Sequence, residues 1–223
     1  MDVLVTGADS ELGRMVAGTF KTAGHQVVVS GLRRAELELV AKELDVDAVV
    51  CDNADPVSLA DARLRFPAHL DTIVHVPAPG PLDGDPRAYT LGDTAAAWRS
   101  AFDRTVLSAV LTVQLVGDNL RSGGSIVTVV PDSAADAGAE GAVKAALTNW
   151  TAGVADHFGT RGITINTVAS GRAAAPGYDG LSGHQPETAV EIARLALFLT
   201  TPAARHITGQ TLHVGRGAAI AFR

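Results

Sequence analysis

Val3-Leu4-Val5-Thr6-Gly7-Ala8-Asp9-Ser10-Glu11-Leu12-Gly13-Arg14 decides how this chain folds. An unbroken apolar run leads into a glycine turn, and residues 11–23 then show helical periodicity up to Gly24, a C-cap residue. A strand that is apolar throughout, without alternation, reads as buried on both faces. Gly7 lets the chain turn tightly, and Gly13 lets the helix approach the strand. Backbone N–H groups at such a helix start can meet a pyrophosphate. Taken alone, the loop is equally a plain strand–helix turn. Its position at the first junction of a repeating pattern gives it weight.

The pattern repeats outward from there. Apolar runs at 2–6, 26–29, 47–51, 72–76, 125–130, 163–168 and 210–214 read as strands. Helical patterns occupy 11–23, 34–44, 56–66, 94–121, 139–158 and 187–199. Repeated alternation predicts an α/β fold with a doubly wound parallel sheet, mostly seven-stranded, and helices on both faces. Residues 1–223 read as one domain, without linker or repeat. Residues 77–93 and 170–186 are rich in Gly, Pro and Asp and read as loops. Both follow strands, so both fall at the carboxyl edge of the sheet, where doubly wound folds bind ligands.

Composition narrows the class of function. Hydrophobic residues make up 47% of the 223, enough for a sizeable core, and the formal charge is -6. No basic stripe suggests nucleic acid. No apolar run reaches the ~20 residues of a membrane span. Cys51 is the single cysteine, so neither an intrachain disulfide nor a CxxC metal site can form. The first strand starts almost at Met1, leaving no room for a signal peptide. Together these features predict a cytoplasmic protein.

Three stretches carry a family resemblance. Thr6-Gly7-Ala8-Asp9-Ser10-Glu11-Leu12-Gly13 resembles the T-G-x-x-x-G-x-G loop of short-chain dehydrogenases/reductases. Gly162 to Gly171, G-I-T-I-N-T-V-A-S-G, resembles that family's sixth strand and the turn after it. His206 to Gly217, H-I-T-G-Q-T-L-H-V-G-R-G, is similar to its last strand. The resemblance implies a Rossmann-type fold, a nicotinamide dinucleotide, and hydride transfer to or from a carbonyl or alcohol carbon of a small molecule. It also implies a substrate lid at 170–186, and a homodimer or homotetramer built on the long helices 94–121 and 139–158. Trp98 and Trp150 lie on those helices and read as core or interface.

The resemblance assigns cofactor contacts to Thr6, Gly7, Asp9, Ser10, Glu11, Leu12, Gly13, Asp52, Asn53, Val76, Lys144, Ser170 and Gly171. Glu11 stands where the family has its middle glycine. A carboxylate beside a pyrophosphate repels it unless it points to solvent, and an acid in a first helical turn is favourable without any ligand. Strand two ends Ser30-Gly31-Leu32-Arg33-Arg34, without the acid that usually holds the adenosine ribose in NAD-selective members. Arg33 and Arg34 could pair with a 2′-phosphate, which favours NADP(H) over NAD(H); they could also be solvated residues at a helix start. Asp52 matches the acid that bonds the adenine amine, and it could equally be a turn residue.

The family's reacting centre pairs a Tyr with a Lys four residues later, aided by a Ser and an Asn. Lys144 falls on the Lys, but Glu140 stands in place of Tyr, Pro131 in place of Ser, and Thr105 in place of Asn. Glu140 and Lys144 at i,i+4 can form an ordinary helical ion pair. Beside Lys144, Glu140 would stay ionised, and an ionised carboxylate has no proton to give a carbonyl. Candidate substitutes are Ser133, Tyr178 and His75, the last titrating near neutral pH when unperturbed; each also reads, and more simply, as a packing or surface residue. Two functions stay open: an oxidoreductase with a diverged centre, or a fold that senses dinucleotide or serves as a partner subunit.

Overall fold

The computed structural model describes residues 1–78, 89–130, 138–170 and 188–215. Seven strands form one sheet in the order β3-β2-β1-β4-β5-β6-β7. They are β1 (Asp2–Val5), β2 (Gln26–Gly31), β3 (Asp47–Val50), β4 (Leu70–His75), β5 (Leu120–Val130), β6 (Thr164–Ser170) and β7 (Thr211–Val214). Every neighbouring pair is parallel. The order reverses direction at β1, with β2 on one side and β4 on the other, which opens a crevice at the carboxyl ends of these strands.

The apolar strand sequences follow from burial on both faces. In β1, Val3 and Val5 join a cluster with Phe20, Leu37, Val74, Ile192 and Leu199. Leu4, pointing the other way, joins Leu59, Ile73, Val116, Ile126, Phe158 and Ile165. Each such side chain, fully buried, contributes roughly 1.5–3 kcal/mol. The helices that supply these partners are α1 (Glu11–Thr22), α2 (Arg34–Leu44), α3 (Pro56–Ala62), α5 (Ser108–Val116), α6 (Ala139–Gly159) and α7 (Thr188–Leu199). The helix α4 (Leu91–Phe102) lies against α6.

Local signals set the ends of α1. The Ser10 hydroxyl accepts the Gly13 N–H at 3.0 Å and donates to the Gly7 carbonyl at 2.7 Å. Gly24, at φ +85°, stops the helix in the left-handed conformation that suits glycine.

The helix expected over 94–121 is not one helix. α4 gives way at Asp103–Leu107 to a π turn, α5 follows, and a 3₁₀ turn at Gly117–Asn119 leads straight into β5. In the π turn the Ser108 N–H reaches back to the Asp103 carbonyl, one residue further than an α-helix allows. The strand claims Leu120 and Arg121 because Leu120 pairs with Leu70 of β4. The ladder then skips to Thr72–Ser125. Gly123, at φ +80°, and Gly124, where a Cβ would stand 2.7 Å from the Asp71 carbonyl oxygen, form the irregular stretch between.

Candidate functional site

A cleft of about 540 Å³ opens at the carboxyl edge, between the ends of β1, β2, β3 and β4 and the inner side of α4. Gly7 and Val76 form its floor, and Gly31, Leu32, Asp52 and Asn53 its outer end. The glycines are fixed by close approach. Gly7 has φ +61°, and a Cβ on it would lie 2.2 Å from the Val76 carbonyl oxygen. A Cβ on Gly13 would lie 2.1 Å from the Gly7 carbonyl oxygen. The first turn of α1 therefore sits tightly on the loop. Ser10 caps the Gly13 amide, while the Glu11 and Leu12 amides have no intrahelical partner by geometry. Such a turn suits an anion. Glu11 is exposed and lines a separate groove with Arg14 and Arg194, away from this cleft. The expected repulsion of a pyrophosphate is thereby reduced.

The outer end combines turn and site. Asp52 accepts the Ala54 N–H at 2.9 Å, as a turn residue does, and also faces the cleft. Cys51 donates to the Asn53 side-chain oxygen at 3.1 Å. Burial pushes the Cys51 thiol up to about 11.

The two arginines are not free cations. Arg33 donates its backbone N–H to Asp9 Oδ2 at 3.0 Å and its Nε to the same oxygen at 3.3 Å. Its Nη2 bonds the Asp9 carbonyl, and its Nη1 lies 3.5 Å from Glu36. Arg34 turns to Glu38 at 3.3 Å. The sequence left these arginines open as phosphate-reading cations or as solvated residues at a helix start; in the structure both pair with acids while staying partly or largely exposed, and one of those acids is the loop residue Asp9.

His75 departs from its sequence expectation. It is 1% exposed, and burial lowers its pKa to about 3, so it does not titrate near neutrality. Nδ1 lies 2.9 Å from Thr6 Oγ1, and Nε2 3.0 Å from Ser108 Oγ. Ser108 donates to the Arg104 carbonyl. The network therefore assigns the proton to Nε2, leaving Nδ1 to accept from Thr6. Thr6 in turn accepts the Val76 N–H at 3.2 Å. His75 ties β1, β4 and α5 together beneath the cleft and cannot serve as a proton donor there. Ser108, unremarked in the sequence, completes the tie; only its i+4 relation to Arg104 hinted at a back-bonding hydroxyl.

At the reacting centre, Lys144 on α6 donates to the Ser170 carbonyl at the end of β6, at 3.1 Å. Glu140 does not form the expected pair with Lys144. Its carboxylate faces Arg104 of the π turn at 3.9 Å, a contact between two helices that no i,i+4 rule could reveal. Thr105 is buried in the same π turn and is not part of the cleft wall. Ser133, Pro131, Gly171, Tyr178 and the lid beyond Ser170 lie outside the described residues.

A seven-stranded parallel sheet with a glycine turn at its first strand–helix junction defines a Rossmann-type protein. Comparison with known proteins narrows this. A family model described as enoyl-(acyl carrier protein) reductase matches residues 7–219. The chain is 66% identical over 222 residues to a Mycobacterium tuberculosis (strain H37Rv) protein named "Putative oxidoreductase Rv1856c", covering 100% of both chains. It is 27% identical over 241 residues to the 7alpha-hydroxysteroid dehydrogenase of Escherichia coli K12, covering 96% of this chain and 92% of that one. A crystal structure of hydroxysteroid dehydrogenase from Escherichia coli superposes with a TM-score of 0.77 at 25% identity, over 97% of this chain and 95% of the other. The chain belongs to the short-chain dehydrogenase/reductase family.

Proposed function

We propose that the protein binds a nicotinamide dinucleotide in this cleft and works as an oxidoreductase on a small carbonyl or alcohol substrate. One juxtaposition carries the reading. The tight Gly7–Gly13 turn follows β1, where the strand order reverses, and Lys144 reaches the end of β6 at the same carboxyl edge of the sheet. In this arrangement the start of α1 would hold the pyrophosphate, Asp52 the adenine amine, and Lys144 the nicotinamide ribose. The cofactor would supply or accept the hydride. The chain must then bind and orient the substrate, and see a proton delivered to its oxygen as hydride arrives at a carbonyl carbon or taken from it as hydride leaves an alcohol carbon.

The described residues narrow the proton source. His75 is sealed in a hydrogen-bonded tie, and Glu140 faces Arg104 at 3.9 Å. Neither replaces a phenol beside Lys144. The Glu140–Arg104 contact favours a second reading, in which the chain keeps the cofactor but does no redox chemistry, as a dinucleotide sensor or partner subunit. The sequence preference for NADP(H) rested on Arg33 and Arg34, and their pairing with acids weakens that support.

Self-association belongs to this reading too. Leu91, Trp98 and Phe102 leave an exposed apolar face on α4, the helix the family resemblance places at a homodimer or homotetramer interface. Among the described residues no helix is long and apolar enough to cross a membrane. We place the protein in the cytoplasm.

The test is a nicotinamide fluorescence titration followed by turnover on a panel of carbonyl compounds. Saturable binding with turnover supports the oxidoreductase. Binding without turnover in the wild type, with turnover gained in Glu140→Tyr, supports the second reading. No binding of either dinucleotide at millimolar concentration overturns both.

A further inference from the structure

Asp9 is the least comfortable group in the cleft. Its side chain is 2% exposed, and its Oδ2 takes the two donors of Arg33. Its Oδ1 is buried without a hydrogen-bond partner. That oxygen lies against Gly31, where a Cβ would come within 2.4 Å of it. Asp9 and Gly31 both form part of the cleft wall. A buried carboxylate oxygen without a donor is costly, and the cost is removed by whatever ligand brings one.

We propose that Asp9 sets the cofactor preference of this cleft and selects NAD(H) over NADP(H). The inference rests on the dinucleotide reading above. A ribose seated between the ends of β1 and β2 presents hydroxyl donors to the Asp9 carboxylate, a charge-assisted bond. This does the work that an acid at the end of β2 does in other Rossmann-type proteins; here Gly31 is small enough to let the acid reach in from the β1 turn.

A 2′-phosphate meets the opposite conditions. Phosphate monoesters carry about -1.5 to -2 charges near pH 7. Arg33 is committed to Asp9 and Glu36, and Arg34 to Glu38. Asp52 adds a further carboxylate to the same end of the cleft. Arg33 and Arg34 are thus both paired with acids, while Asp9, Asp52 and Asp55 line this end of the cleft. On the facing wall, Arg104 is engaged by Glu140 and Ser100, and Arg99 of α4 and Asp103 of the π turn line the cleft together.

The experiment measures dissociation constants for NADH and NADPH with the wild type, Asp9→Asn and Arg33→Ala, each checked for folding by circular dichroism. The wild type is expected to bind NADH about tenfold more tightly than NADPH or better, the scale of one charged hydrogen bond. Asp9→Asn should bring the two within about threefold by weakening NADH and releasing Arg33. Arg33→Ala should bind NADPH no more weakly than the wild type does. Tighter NADPH binding by the wild type overturns the inference alone, as does a selective loss of NADPH in Arg33→Ala. Absence of binding by both dinucleotides overturns the dinucleotide reading and this inference with it. If Asp9→Asn fails to fold, the wild-type ratio and Arg33→Ala still decide.

Discussion

His75→Asn should remove a defined part of the protein's acid sensitivity. In the folded chain burial holds the imidazole at about 3, against 6.5 ordinarily. A lowered folded value means that the unfolded chain takes up the proton first. The stability due to neutral His75 is complete above about pH 6.5 and is lost as pH falls from 6.5 toward 3. Between those limits the slope is about 1.4 kcal/mol per pH unit. From pH 7 to pH 5 the loss integrates to about 2 kcal/mol. For a chain of this length that is a fall in Tm of about 4–8 °C. Asn has no titrating group here and can still bond Thr6 or Ser108, though not span both. The variant should start lower at pH 7, because it loses one hydrogen bond and some packing. The informative quantity is the difference in slope, read from thermal or urea melts at matched pH values. The wild type should lose about 2 kcal/mol more than His75→Asn between pH 7 and 5. Equal slopes would show that His75 is not buried neutral between Thr6 and Ser108.

Other perturbations reach separate parts of the account. Ser10→Ala removes the cap on Gly13 and should cost about 1 kcal/mol in a urea melt. Glu140→Gln breaks a half-exposed contact with Arg104 and should cost less than about 1 kcal/mol, with dinucleotide affinity unchanged; complete loss of turnover on an identified substrate would make Glu140 catalytic after all. Gly31→Ala forces a Cβ onto Asp9 Oδ1 and should cost about 1–3 kcal/mol in a melt while reducing the preference for NADH. Cys51 is buried and its thiol raised to about 11, so the native protein should react with a thiol reagent only as fast as it opens, and at once in denaturant.

The sheet was legible because its cause is local. Seven apolar runs announced the strands, the inner five largely buried and the edge strands β3 and β7 only in part, and the order of strands and helices implied the parallel winding. Gly24 marked the end of α1 for the same reason. The break in the fourth helical pattern was not legible. Apolar periodicity runs through Asp103–Leu107 without a Gly or Pro, so nothing local announces the π turn. The early start of β5 depends on Leu70, a residue fifty positions away. The site was legible as a set of residues but not as a set of partners. Asp9 and Arg33 are 24 positions apart, Arg104 and Glu140 lie on different helices, and His75 is sandwiched between Thr6 and Ser108. Each of these pairings adds a partner that its members do not reveal alone: an acid for a candidate phosphate-binding arginine, a second helix for a candidate i,i+4 ion pair, and two hydroxyls for a candidate titrating histidine.

A crystal structure grown with NADH tests the central claim most directly. The account predicts density for the pyrophosphate against the first turn of α1, a ribose hydroxyl on Asp9, and the nicotinamide ribose on Lys144. An empty cleft at saturating cofactor, or a dinucleotide seated elsewhere on the molecule, would contradict it.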